Sequence, residues 1–163
     1  MLAVNSSAAQ PLDHIGPDPI RSEKCVMVTP ERSFFCTGKS VPPDEARIAP
    51  TVTVSCNPGI LVILTHEFVE RTSAVREITL ITDDGDFTDQ WLAISQWQSV
   101  LLKFDDPASA DQYAWMLNLL GRLITTGLSR FGYAFEQDEG AGGVFDLDHS
   151  DRTLLQPIVS KCR

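Results

Sequence analysis

Long apolar runs are missing from this chain. The longest, Ile60 to Leu64, falls far short of the roughly 18 residues that a membrane-spanning helix needs. Histidine is scarce, with 3 in 163 residues, and the 4 cysteines are widely spaced with no CxxC pair, which argues against a zinc site. Cations are the minority charge. The 13 Lys and Arg against 22 Asp and Glu leave a net charge of -9, whose field repels phosphate polyanions and anionic lipid headgroups, so neither nucleic acid nor membrane is expected as a partner. Met1 to Pro11 has neither the basic start nor the apolar stretch of a signal peptide. That points to an intracellular protein, cytoplasmic or nuclear; the alternative is a periplasmic or secreted chain whose leader has been removed.

What is present fits one core. A chain of this length buries about 70% of its unfolded surface and needs no metal or disulfide to be stable. Residues 1–22, with Pro11, Pro17 and Pro19 and few apolar side chains, read as a flexible lead. Short strand candidates then follow: Cys25 to Thr29, Ser33 to Val41, Thr51 to Cys56, Ile60 to Phe68, Val75 to Ile81, Trp91 to Ser95 and Ser99 to Phe104. Thr51 to Cys56 alternates, as a strand with one buried and one wet face does, whereas Ile60 to Leu64 is apolar on both sides. Turn residues separate the strands at Pro30-Glu31, Pro42-Pro43-Asp44, Asn57-Pro58-Gly59 and Asp83-Asp84-Gly85-Asp86, which favours antiparallel meanders. Cys56 extends the alternating set and reads as a buried thiol. Cys25 and Cys36 can face each other across the first hairpin, so reduced thiols are expected with that one disulfide as the alternative.

One long amphipathic helix follows the strands. Asp106 suits its N-cap, Pro107 its first turn and Gly127 the position just past its end. Tyr113, Met116, Leu117, Leu120, Leu123 and Ile124 form the core stripe, while Trp115 and Leu119 project about 140° and 100° from its centre. Trp115 and Leu119 are therefore expected to be partly exposed and to bind a partner or a second copy. The alternative is that the tail, through Phe131, Tyr133, Phe135 or Leu154-Leu155, covers them.

The expected fold is α+β, an antiparallel barrel or sandwich of about seven strands closed by one C-terminal amphipathic helix. It occupies residues 23–130, with 131–163 an acidic, Gly-rich linker and tail. Lys103-Phe104-Asp105-Asp106-Pro107 leading into Tyr113 and Trp115 resembles the end of pleckstrin-homology-like domains, where a last strand runs through an acidic start into a tryptophan-bearing helix. The first hairpin departs from the lipid-binding members, since Thr29-Pro30-Glu31-Arg32 offers no basic cluster. The resemblance thus implies a protein ligand.

No residue set completes a reaction centre. Asp146-Leu147-Asp148-His149-Ser150-Asp151 alternates oxygens as a calcium loop does, but Asp151 takes the place of its glycine and Pro157 that of its bidentate glutamate. Asp83, Asp84, Asp86 and Asp89 around Gly85 read first as a hairpin turn, and Gly140, Gly142 and Gly143 as linker. His66 and Glu67, as strand neighbours, point to opposite faces and do not converge. The sequence therefore implies no enzyme, no cofactor and no metal, but a protein-protein interaction module, an adaptor or scaffold component. The alternative is an exported, disulfide-containing inhibitor or immunity-type protein that blocks a basic enzyme surface. The thiol count separates the two.

Overall fold

Gly38 is where the architecture turns. The computed structural model describes residues 20–21, 25–28, 33–40, 48–56, 59–83, 85–125, 130–136 and 138–162. The expected lead therefore falls outside the described residues except for a two-residue strand, β1 (Ile20–Arg21). The strands that follow are β2 (Cys25–Val28), β3 (Ser33–Thr37), β4 (Lys39–Ser40), β5 (Thr51–Cys56), β6 (Ile60–Thr65), β7 (Val75–Thr82), β8 (Gly85–Ser95) and β9 (Gln98–Lys103). Helix α1 (Ala110–Thr125), β10 (Arg130–Phe135), β11 (Asp138–Asp146) and α2 (His149–Ser160) complete the order.

All the described strands join one antiparallel sheet in the order β1-β2-β3-β5-β6-β9-β8-β7-β10-β11-β4. β4 follows β3 across a single residue, Gly38, so the sheet curls until its last strand meets the continuation of its third. Gly38 donates its N–H to Pro50 O at 2.8 Å, prolonging the β3–β5 ladder. A Cβ on it would sit 2.6 Å from the Val144 carbonyl oxygen and 2.7 Å from the Phe145 ring, so only glycine lets β11 close onto this strand.

The helices fill the inner side of the curl. Inward residues of the strands, among them Phe34, Val52, Val54, Ile60, Val62, Leu64, Ile78, Trp91, Leu101, Tyr133 and Phe145, form one buried cluster with Met116, Leu120 and Leu123 of α1 and Leu154, Leu155 and Ile158 of α2. The alternation of Thr51–Cys56 is the observed burial pattern of β5, and β6 is apolar on both sides as far as Leu64, with Thr65 outward at its end. Asp106 acts as the expected cap, its Oδ1 accepting from the N–H groups of Ala108 at 2.9 Å and Ser109 at 3.1 Å, although the α-helix proper begins at Ala110. Gly127 lies outside the described residues.

Three expectations need correction. The sheet has eleven strands rather than about seven, and a second helix, α2, packs beside α1. Part of the Gly-rich stretch read as linker is β11, paired with β10 through Tyr133↔Gly143 and Ala134↔Gly142. Its glycines serve close packing: a Cβ on Gly142 would meet the Tyr133 carbonyl oxygen at 2.7 Å, and one on Gly143 the Tyr133 ring at the same distance. Third, the cysteines are paired. Cys25–Cys36 joins facing residues of β2 and β3, and Cys56–Cys162 ties β5 to the chain just past α2. Nothing local signals the second bridge, because Cys162 reaches Cys56 only through the docking of α2 over β5.

Candidate interaction surface

Three of the buried polar residues, His66, Arg76 and Ser99, converge at one end of β6, β7 and β9. His66 Nδ1 lies 2.7 Å from the Glu67 carbonyl oxygen, which can only accept, so this nitrogen carries the proton. Nε2 then accepts from the Ser99 hydroxyl at 2.9 Å, and Ser99 Oγ in turn accepts from an Arg76 guanidinium N–H at 2.9 Å. The terminal nitrogens of Arg76 also donate to the carbonyl oxygens of Gln98 at 3.2 Å, Val69 at 3.0 Å and Ser95 at 2.7 Å, while its Nε has no partner among the described residues. His66, Ser99 and Arg76 are all buried. Burial, with the nearby Arg76 charge adding to it, lowers the His66 pKa to about 4, so the ring is neutral at pH 7.

A serine hydroxyl beside a neutral imidazole has the outline of an activated nucleophile, but Ser99 has no exposed surface for a substrate to reach. The cluster is a brace. It fixes the segment after β6 to the turn between β8 and β9, and backbone bonds from His66 N to Trp97 O at 2.9 Å and Val69 N to Gln96 O at 2.8 Å reinforce it.

The helix stripe singled out in the sequence is not free. Leu119 is buried, and Trp115 is half-buried with its ring stacked on Phe87 of β8 at a centroid distance of 3.4 Å. Phe87 faces inward because β8 extends back to Gly85, so the β7–β8 hairpin contributes to Trp115's cover. Leu119 also lines a small internal cavity of about 40 Å³ with Phe131 and Tyr133, a space about the size of one water. The acidic stretches resolve into local structure. Asp148 and Asp151 form a reciprocal capping box at the start of α2, with Asp151 N to Asp148 Oδ1 at 2.9 Å. Asp89 turns inward to Lys103 at 2.9 Å, and Lys103 also donates to Gln112 Oε1 of α1 at 2.8 Å. Gly85, at φ 137°, makes the β7–β8 turn; Asp84 lies outside the described residues.

The outer face of the sheet is the unusual one. Outward positions are Thr51, Thr53 and Ser55 on β5, Leu61, Ile63 and Thr65 on β6, and Gln98, Val100 and Leu102 on β9. None is charged. Cross-strand pairing puts Leu61 beside Leu102 and Ile63 beside Val100, and on the other side Val100 meets Leu92 of β8, which faces Val75 of β7. Phe104 prolongs the row at one end, lying over Gly59, where an added Cβ would come within 2.7 Å of its ring. At the other end Phe68 and Trp97 form an edge-to-face pair with centroids 5.6 Å apart. Phe68, Leu92, Ile94, Trp97, Leu102 and Phe104 are each between 38% and 52% exposed, which makes a contiguous apolar strip along β9.

The residues around this strip are acidic or neutral, with one exception. Outward charges on β7 and β8 are Glu77 and Asp86, and Glu136 accepts a hydrogen bond from Thr79 of β7 at 2.6 Å. Asp105 follows Phe104 at one end and Glu70 lies near Phe68 at the other. Arg71 is the exception, its Nε donating to Ala93 O at 2.8 Å. Beyond β7 a shallow groove of about 400 Å³ runs over Gly132, Ala134 and Gly142, bordered by Arg130, which pairs with Asp146 at 2.6 Å.

Compared with family models, characterised proteins and solved structures, the chain matches none. The sequence held one signal for the strip, the two-sided apolar character of Ile60 to Leu64. It held none for Phe68 and Trp97, which meet only because the Arg76 brace joins two distant turns.

Proposed function

We propose that this chain is a non-enzymatic binding module, stapled by two disulfides, that holds another protein against the outer face of β6, β9 and β8. The apolar strip carries the reading: the inner face of these strands is already filled by the chain's own helices, yet the outer positions of β6 and β9 carry no charge and those of β8 only Asp86, near its start. Exposed aromatic anchors on a rigid support are the usual centres of binding energy, and the Arg76 brace provides that support for Phe68 and Trp97. The resemblance of Lys103 to Trp115 to the end of pleckstrin-homology-like domains also favours a protein ligand. Pairing of all four cysteines supports an oxidising compartment, periplasmic or extracellular, over the cytoplasm, and so favours an exported inhibitor-like protein over an intracellular adaptor.

Site-specific photocrosslinking tests the surface. A photoreactive residue at Leu102 should give a discrete, saturable adduct in source-cell material, and the same residue at Thr153, exposed on α2, should not. The adduct should vanish when Leu92→Ser and Ile94→Ser are added. Equal adducts from both positions, or none from Leu102, would remove the outer face as the binding site.

A further inference from the structure

We infer that the occupant of the strip is a cationic amphipathic helix, lying along β9 with its apolar stripe on Leu92, Val100 and Leu102 and its lysines or arginines toward β7. This rests on the outer-face reading above. Size comes first. From Trp97 to Phe104 the strip runs about 23 Å at ~3.3 Å per strand residue, the length of about 15 residues of α-helix. Its width, β6 to β8 across β9, is two strand spacings or about 10 Å, close to the diameter of one helix. The faces a globular partner or a second copy would bring are broader than that.

Charge selects the kind of helix. Glu77 stands two residue pairs along from the Val75–Leu92 contact, and Glu136 and Asp86 continue the acidic side; Asp105 and Glu70 mark the two ends. Arg71, near Ile94, is the single opposing charge among the described residues next to the strip. A helix with basic flanks gains from this border while its apolar stripe covers the uncharged centre. A second copy brings the same acidic border and another net charge of -9. The outer side of a curled sheet is also convex, and two convex faces touch over less than the ~800 Å² per partner typical of stable complexes.

Two synthetic 18-residue helical peptides with one leucine stripe, flanked either by lysines or by glutamates, serve as probes, with Trp97 fluorescence and calorimetric titration as readouts. The lysine peptide should bind at least tenfold tighter than the glutamate peptide at 0.1 M salt, and the gap should shrink toward 1 M. Glu77→Gln with Asp105→Asn should narrow that gap, and Leu92→Ser with Leu102→Ser should abolish binding of the lysine peptide. Equal affinity for both peptides overturns the charge assignment and leaves the outer-face site standing. Undiminished binding of the lysine peptide to the Leu92→Ser, Leu102→Ser protein overturns both. A dimer in sedimentation that these two serines dissolve would identify a second copy as the occupant and overturn the helix.

Discussion

Leu101 and Leu102 are chain neighbours of the same type on the same strand, yet one is 2% exposed and the other 44%. The same holds for Trp91 and Leu92 on β8, at 1% and 47%. Inward, each side chain joins one buried cluster with the helices and the other strands. Outward, a comparable apolar surface meets only solvent. A half-buried sheet ordinarily alternates apolar with polar, so apolar side chains on both faces of a strand imply two coverings, of which this chain supplies one. On the proposed reading, the contrast separates residues kept for stability from residues kept for contact, although composition alone treats them alike.

The largest expected effect tests that separation directly. Trp91→Ala should cost about 3–5 kcal/mol, the range for truncating a large buried aromatic, whereas Leu92→Ser should stay within about 0.5 kcal/mol of wild type. Urea unfolding of the two variants measures the difference. A comparable loss in both would mean that the outer face contributes to the folded core after all.

The second test concerns what holds the inner layer in place. Replacing Cys56 and Cys162 by alanine opens a loop of 106 residues in sequence separation and should cost about 4 kcal/mol, more than the same change at Cys25 and Cys36, separated by 11. Thermal melts of the two double variants give the order. The reverse order would show that α2 is secured by packing alone.

A smaller effect sharpens the comparison at the brace. His66 has a folded pKa of about 4 against 6.5 for the free side chain, so between these values the unfolded chain binds more protons and stability rises with pH. The contribution is complete above pH 6.5 and falls away toward pH 4, by up to ~3 kcal/mol. Unfolding midpoints at pH 4.5 and 7 should differ less in a His66→Gln protein, which lacks this titration. An unchanged difference would place the pH dependence on other groups.

Much of the sheet was legible because its strands obey local rules. Thr51 to Cys56 alternates, Ile60 to Leu64 is bounded by turn residues, and Asp-Gly at 84–85 marks a hairpin, so β2, β3, β5, β6, β7 and β9 lie close to where the residues put them. The first half of β8 was hidden by its own charge: Asp86 and Asp89 look like turn excess until Asp89 finds Lys103 on the inner face. β11 was hidden by its glycines, which signal flexibility in isolation but here answer to the Tyr133 ring and backbone. α2 was readable only as a short docked segment, since Pro157 lies within it. Trp115 is partly exposed as expected, but Leu119 is buried, because helix geometry gives the direction of a side chain and not the neighbours that wait there; for Trp115 that neighbour is Phe87, on a half-strand not foreseen. The candidate surface was fainter still, as it is made of cross-strand pairs and joined turns that no local window contains.

The seam at Gly38 also sets an order of events during synthesis. β3 can pair with β2 and β5 as soon as those strands exist, but the edge offered by Lys39 and Ser40 waits for Val144 and Gly143, which lie on the far side of six intervening strands and a helix in chain order. Until then the young chain carries an open strand edge beside an unfilled inner face, the combination most prone to pairing with another molecule. Contacts so distant in sequence form slowly. The single residue that closes the sheet therefore also marks a late step in its folding.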